Sequence, residues 1–504
     1  MDEMSKDMPP SRFHICPETT SGFEMAYSET YALLAYAMAD GPLSLDATMD
    51  TYRVNRYNIT EKNTYTNRLI QGGLRYHRLD LSSAGEIHIS LVGFKPTVSN
   101  TPLADLPGLS NGSDEVLRRI RLLGSYQLTP GFFIPNAKTQ QPPRTKDVQA
   151  NTTGLIGYSF NLLSAMAKLY EQTGDEVFLH RWAPKAVRML DWAYSQTLPN
   201  HLLNITDPGL GGGRDYSDPT SSGIVTQFNI LYAYSLKKWI PYLSQANINA
   251  TMYQRRLNNL QKAINDHLWS EKLQAYYHSE AYQDFFSQDA NALAILSDTT
   301  HLTGNRTAAL LSTMAQQLYI PKGALAFSNA NIASGFAQQI SPYTSGYHLK
   351  AAFHANDAVN AKRLLHSIWG PMSDPRHANY TGCMWEVMSP DGIPGLGSVT
   401  SLCHAWSAGP TADLSRYVLG IQPVTPGFRE WKVAPQTLGL AWARGEYPTP
   451  HGNIMVDWSF DCSGHFNIAL RAPVGTRDTV VLPSPLNGTL EVQDGKTFRY
   501  KQHT

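Results

Sequence analysis

Charge is scarce and balanced in this chain of 504 residues: 41 Lys and Arg face 41 Asp and Glu, and charged residues make up only 16%. No basic stripe results, so nucleic acid and acidic membrane surfaces have no electrostatic claim as partners. No run of about eighteen apolar residues exists, so no helix is expected to span a membrane. The four cysteines, Cys16, Cys383, Cys403 and Cys462, lack CxxC spacing, and the sixteen histidines form no HxxxH pair. Neither a metal nor another cofactor is therefore expected. Residues Met1 to Pro10 are acidic and lack the apolar core of a secretory signal, which points to a cytoplasmic protein. Eight Asn-x-Ser/Thr sequons, at Asn58, Asn111, Asn151, Asn204, Asn249, Asn305, Asn379 and Asn487, point instead to secretion. Chance supplies about four or five at this composition.

Length and aromatic content are what the chain has. It is too long for one hydrophobic core, so two or three domains are expected. Residues from about 20 to 100 alternate with period two, as in Thr51–Tyr57 and Glu86–Val92, and read as β. Near Pro107–Asp114 the pattern changes, with Ser113 or Asp114 able to cap a helix through Ile120. From there to about residue 420 amphipathic helices follow one another, among them Leu155–Gln172, Val177–Thr197, Ser221–Trp239, Met252–Leu268, Ala308–Leu318 and Asp357–Trp369. Successive helical hairpins without a short repeat predict a closed α/α toroid. After Gly420 the β pattern returns, in Trp431–Pro435, Gly452–Trp458 and Val480–Leu482. The expected domains are a short N-terminal β-domain (1–105), an (α/α)6-type barrel (106–420) and a C-terminal β-sandwich (421–504).

The chemistry concentrates in Thr381-Gly-Cys-Met-Trp385-Glu386-Val-Met388 and, after a loop with Pro394, Gly395 and Gly397, Ser401-Leu-Cys-His404-Ala-Trp406. An indole beside an acid suits a sugar site: the ring packs on the C–H face of a pyranose while the carboxyl handles a proton or a water. The same residues read equally well as core aromatics beside a surface acid. Cys383 and Cys403 bracket Glu386 and can pair in an oxidising compartment; as buried thiols they need no explanation.

These strings, in their order, resemble glycoside hydrolase family 78, the α-L-rhamnosidases, in its fungal branch, over residues 50–475. The resemblance rests on Tyr52-Arg-Val-Asn55, Gln71-Gly-Gly-Leu-Arg-Tyr76, Val92-Gly-Phe-Lys-Pro96, Ser113–Leu117, Leu203–Thr206, Arg214-Asp215-Tyr216, Gln288-Asp-Ala-Asn-Ala292, Pro423–Phe428 and Pro448–Gly452, besides the Glu386 and His404 motifs. It implies an inverting hydrolase with no cofactor, acting on a small-molecule deoxysugar glycoside. Glu386 matches the base, His404 lines the sugar subsite with Trp406 beside it, Trp385 flanks the base, and Asp215 stands at a subsite acid position with Arg214 before it and Tyr216 where Trp is usual.

The family's proton donor lies in a string ending Trp-x-Gly-Asp, between the first barrel helix and the helix expected here at Leu155–Gln172. Thr129–Thr153 contains no such string, and the pattern holds about ten helices where six hairpins need twelve. The barrel is therefore expected to be incomplete, with the acid deleted; Asp147, Arg144 and Arg214 are the candidate substitutes. Three functions follow: a rhamnosidase with an unusual acid, a barrel repurposed for cyclisation or isomerisation of a fungal metabolite, or a non-catalytic sugar-binding homologue. The aglycone and the oligomeric state are not encoded in any motif.

Overall fold

The structure is a computed structural model. It describes residues 21–28, 31–36, 54–60, 76–83, 86–90, 156–206, 222–304, 306–328, 336–397, 400–483, 488–493 and 497–502, with isolated residues besides. The expected cap at 113–114, residues 129–153 with Arg144 and Asp147, and the loop holding Arg214, Asp215 and Tyr216 lie outside the described residues.

Near the N-terminus, β1 (Ser21–Ser28) is the middle strand of an antiparallel sheet with β2 (Val54–Ile59) and β3 (Tyr76–Leu81). Its small core is Phe23, Met25, Tyr27 and Ile59. The strand expected at Glu86–Val92 is not seen at 86–90. Ile87 and Ile89 pack against that core at alternate positions, but no ladder forms. Alternation there records burial rather than strand pairing.

The helical domain follows. Its described helices are α1 (Ile156–Thr173), α2 (Glu176–Ser195), α3 (Thr226–Leu243), α4 (Ala250–His267), α5 (Gln288–Leu296), α6 (Arg306–Gln317), α7 (Pro342–His354), α8 (Ala358–Leu364), α9 (Gly370–Ser373) and α10 (Gly409–Asp413). Helix starts obey capping chemistry: Asp175 accepts from Phe178 N (2.9 Å), Asn249 from Thr251 N (3.0 Å) and Asp357 from Asn360 N (3.1 Å). Pro342 fills the first turn of α7, where a missing N–H costs nothing.

Among the described residues, α1, α3, α5, α7 and α10 pack one on the next as an inner row, while α2, α4, α6 and α8 return outside it. Every residue of α5 is buried, as an inner helix requires. This is an α/α-barrel arrangement. Helix α3 starts at Thr226 rather than Ser221, because Gly223 and Val225 are committed to bridges with Ile205 and Ser279. Two wide π-turns, Leu365–Trp369 and Leu414–Val418, continue α8 and α10.

Two short hairpins lie within the helical domain, β4 (Trp269–Ser270) with β5 (Ala275–Tyr276) and β6 (Tyr319–Ile320) with β7 (Gly323–Ala324). The C-terminal region has β8 (Ile421–Pro423), β9 (Glu430–Val433), β10 (Trp442–Thr449), β11 (Gly452–Phe460), β12 (Phe466–Arg471), β13 (Arg477–Val480), β14 (Gly488–Gln493) and β15 (Thr497–Gln502). They form two sheets, β10-β11-β12-β15-β14 and β13-β9-β8. Trp431 and Trp458 fill the space inside. This domain docks on the C-terminal ends of the inner helices. Gln436 Nε2 donates to Phe353 O (2.7 Å), Tyr447 bonds Gln172, and the glycine backbones of Gly174 and Gly427 meet where a Cβ on either would stand 3.1–3.2 Å from its neighbour.

Candidate active site

The opposite ends of the inner helices, their N-termini, carry the candidate site. Before α10 the chain makes two passes that zip together: Glu386 N donates to Ser401 O (2.8 Å), His404 N to Met384 O (2.8 Å) and Thr381 Oγ1 to Leu402 O (2.9 Å). A turn between them brings Gly395 against the backbone of Met388, where a Cβ would lie 2.9 Å from its carbonyl carbon. Residues nearly twenty apart in sequence thus become neighbours.

Glu386 is 4% exposed, so it is not the surface acid that one reading of the sequence allowed. Its Oε2 accepts from Ser401 N at 3.0 Å and stands 3.9 Å from His404 Nδ1. Among the described residues no donor reaches Oε1. A gap of 3.9 Å is too long for a hydrogen bond and wide enough for one bridging polar atom. Burial holds the His404 imidazole below its usual pKa, while the Glu386 charge pulls the other way. The ring is therefore kept neutral near pH 7.

Trp406 is half-buried. It donates from Nε1 to Glu386 O (3.0 Å), and its ring lies 4.3 Å from His404 and 5.4 Å from Tyr343. Trp385 is fully buried and forms the back wall, its ring 5.3 Å from His377. Ser407 Oγ donates to Trp385 O (2.6 Å), and Trp369 Nε1 donates to Ser407 O (2.8 Å). For Trp385 the core-aromatic reading and the site reading hold together: it is core, and it fixes the backbone next to Glu386.

The structure thus brings Glu386, Trp385, His404 and Trp406 together, and leaves Arg214, Asp215 and Tyr216 without a described place. It also adds residues that the motifs did not single out. Asn161 on α1 donates to Tyr343 OH (2.5 Å) and accepts from Tyr347 OH (2.9 Å), so α1 and α7 meet beside Trp406. Burial raises both phenol pKa values, so both remain protonated donors. On the same end of the barrel, Gln227 Nε2 donates to the buried Asp289 (2.5 Å). His278 sits nearby in an aromatic box of Phe285, Phe327, Phe336 and Tyr282, with Thr220 Oγ1 at 2.9 Å and Asp218 Oδ1 at 3.5 Å from Nε2. Gln288-Asp289 belongs to a string of the family resemblance that carries no assigned role, and His278 has no sequence signal, because a buried histidine among aromatics looks like any core position. A cavity of about 660 Å³ lined by His301, Thr307, Leu311, Asp357 and Asn360 lies at the other end of α5 and α7.

A neutral histidine, a buried carboxylate with one open oxygen and an indole face are what a polyhydroxylated ring needs: acceptors and donors close together, an apolar plate beside them. The fold defines the class as an α/α barrel with flanking β-sheets. Residues 420–497 match the family described as the bacterial alpha-L-rhamnosidase C-terminal domain. An alpha-L-rhamnosidase of Alteromonas sp. (strain LOR) is 35% identical over 68 residues, which are 13% of this chain and 7% of that protein. The family 78 rhamnosidase of Bacillus sp. GL1 superposes with a TM-score of 0.64 at 20% identity, over 94% of this chain and 52% of its own. The alpha-L-rhamnosidase of Streptomyces avermitilis, solved with L-rhamnose, gives 0.61 at 14% identity (97% and 50%), and that of Aspergillus terreus 0.61 at 15% (98% and 60%). Family 78 α-L-rhamnosidases are thus what this chain is similar to, in sequence at its C-terminal domain and in fold over nearly all its length. The chain spans about half the length of the first two of these solved enzymes.

Proposed function

We propose that this chain is a glycoside hydrolase-like protein of the inverting α-L-rhamnosidase type, of the fungal branch, in which Glu386 is the general base. The observation that carries the reading is the pairing of a buried Glu386, one oxygen fixed by Ser401 N and the other open, with His404 at 3.9 Å and the Trp406 ring beside both. An inverting base must hold a water on one face of the sugar, and the open Oε1 is placed to accept its proton. His404, kept neutral, offers a ring nitrogen to a sugar hydroxyl without adding a positive charge next to a developing oxocarbenium ion. Trp406 and Tyr343 provide the apolar plate. Arg214, Asp215 and Tyr216 complete the subsite in this proposal.

The proton donor is the weak member. An inverting pair sits roughly 6.5–9.5 Å apart with water between, and the segment in which the family carries its acid is shortened here. Loss of a general acid costs about 10²–10⁴ in rate, least for an activated leaving group. The proposal therefore expects slow turnover of an aryl α-L-rhamnoside, little or none of unactivated disaccharides, and loss of aryl-glycoside turnover in Glu386→Gln. Rapid hydrolysis of natural rhamnosides would overturn the deleted acid. Unchanged aryl-glycoside turnover in a folded Glu386→Gln would overturn the base. No turnover of either substrate, with an apolar polycyclic ligand bound instead, would replace hydrolysis by a repurposed barrel.

A further inference from the structure

We propose that Cys383 and Cys403 form an intrachain disulfide that staples the pass carrying Glu386 to the pass carrying His404. The expectation of ordinary buried thiols is corrected by the structure: Cys403 is exposed and Cys383 only half-buried. Their sulfurs are in direct contact, Sγ to Sγ 2.9 Å, across a sequence separation of 20 residues. The neighbouring backbone already holds them there. The rungs from His404 N to Met384 O and from Thr381 Oγ1 to Leu402 O flank the two cysteines on either side. A disulfide forms without strain only where Cα and Cβ positions are set in advance, and these rungs set them. Cys462, in the turn between β11 and β12, is also exposed and belongs to the other domain.

The chemistry needs a disulfide oxidant, for which glutathione disulfide serves. The exposed Cys403 thiolate attacks one sulfur of glutathione disulfide, an S–S bond breaks, and one glutathione leaves as thiolate. The Cys383 thiolate then attacks the Cys403 sulfur of the mixed disulfide and expels the second glutathione. Two protein thiols lose two protons and two electrons, and one glutathione disulfide becomes two thiols. The product closes a loop that contains Glu386 and the Gly395 turn, while Trp406 and α10 continue from its far end.

The test uses the purified full chain, equilibrated with glutathione disulfide or with dithiothreitol and then alkylated and digested. The expected result is loss of two alkylatable thiols, a 383–403 cross-linked peptide lighter by two hydrogens, and reversal by dithiothreitol. The oxidised form should melt roughly 3 to 5 °C above the reduced form, a gap absent from Cys403→Ser. Three results would overturn the proposal: a persistent glutathione adduct on Cys403 with Cys383 still free, a link from Cys403 to Cys16 or Cys462, or coincident melting of oxidised and reduced wild type. The peptide mass is read on the wild type, so a poorly folding variant does not blunt the test.

Discussion

Mild acid should weaken the fold through one buried imidazole that stays neutral inside the helical domain. His348 on α7 is fully buried; its Nδ1 lies 3.2 Å from Gln288 Nε2, and its Nε2 has no partner among the described residues. Gln288 Oε1 is taken by Thr344 Oγ1 (2.7 Å), so Gln288 presents its NH₂ to the histidine and Nδ1 must accept. Protonation would set donor against donor as well as bury a charge, and burial alone already holds the pKa down at about 3. In the unfolded chain the ring titrates near 6.5. The folded state therefore binds fewer protons than the unfolded state between these values, and stability falls as pH drops through that window. From pH 7 to pH 5 the linkage integral gives about 2 kcal/mol for this group. Equilibrium denaturant unfolding of wild type and His348→Met at both pH values isolates it. The wild type should lose about 2 kcal/mol more than the variant on acidification. Equal losses would refute the reasoning, since carboxylates and other histidines contribute alike to both proteins.

Other expectations are more local. Gly420→Ala should destabilise the junction of the two domains by several kcal/mol, because φ is +86° and a Cβ would stand 2.5 Å from the backbone of Ala434 and Pro435; a melting temperature within a degree of wild type would contradict this. Asn229→Ala should cost about 3 kcal/mol in denaturant unfolding. Its side chain accepts from Leu203 N (2.7 Å) and donates to Leu203 O and Val225 O (3.0 Å each), the tie between that segment and α3.

What could be read from the sequence depended on where each helix faces. The outer helices α2 and α4 bury one stripe and expose the other, so their 3.6-residue period is plain, and they begin within two residues of the expected positions. Inner helices keep less of that contrast: α1 still shows it and begins within one residue of the expected position, whereas α5 and α7 do not. Helix α7 was not anticipated, because Thr344, Ser345 and His348 are buried along with Leu349 and Phe353 and no polar face remains. In the site, Glu386, Trp385, His404 and Trp406 were legible as a motif, whereas Asn161, Tyr343 and Tyr347 meet them only through the packing of α1 on α7. The exposure of Cys403 depends on a turn whose course no local pattern specifies.

The wide turn Leu365–Trp369 has a bearing on how this chain can change over generations. A π-turn accommodates one residue more than the α-helix it interrupts. Deleting one residue there would restore a regular α-helical turn, because five residues of π-turn advance about as far round the axis as four of α-helix. Trp369 would keep its orientation, and with it the indole bond that braces Ser407 and, through it, the Trp385 carbonyl. A one-residue change at a regular position of α8, such as Val359, would instead turn everything after it by about 100°. Lineages descended from this protein can therefore lose a residue within Leu365–Trp369 and keep the cluster's support, while the same loss earlier in α8 reaches it.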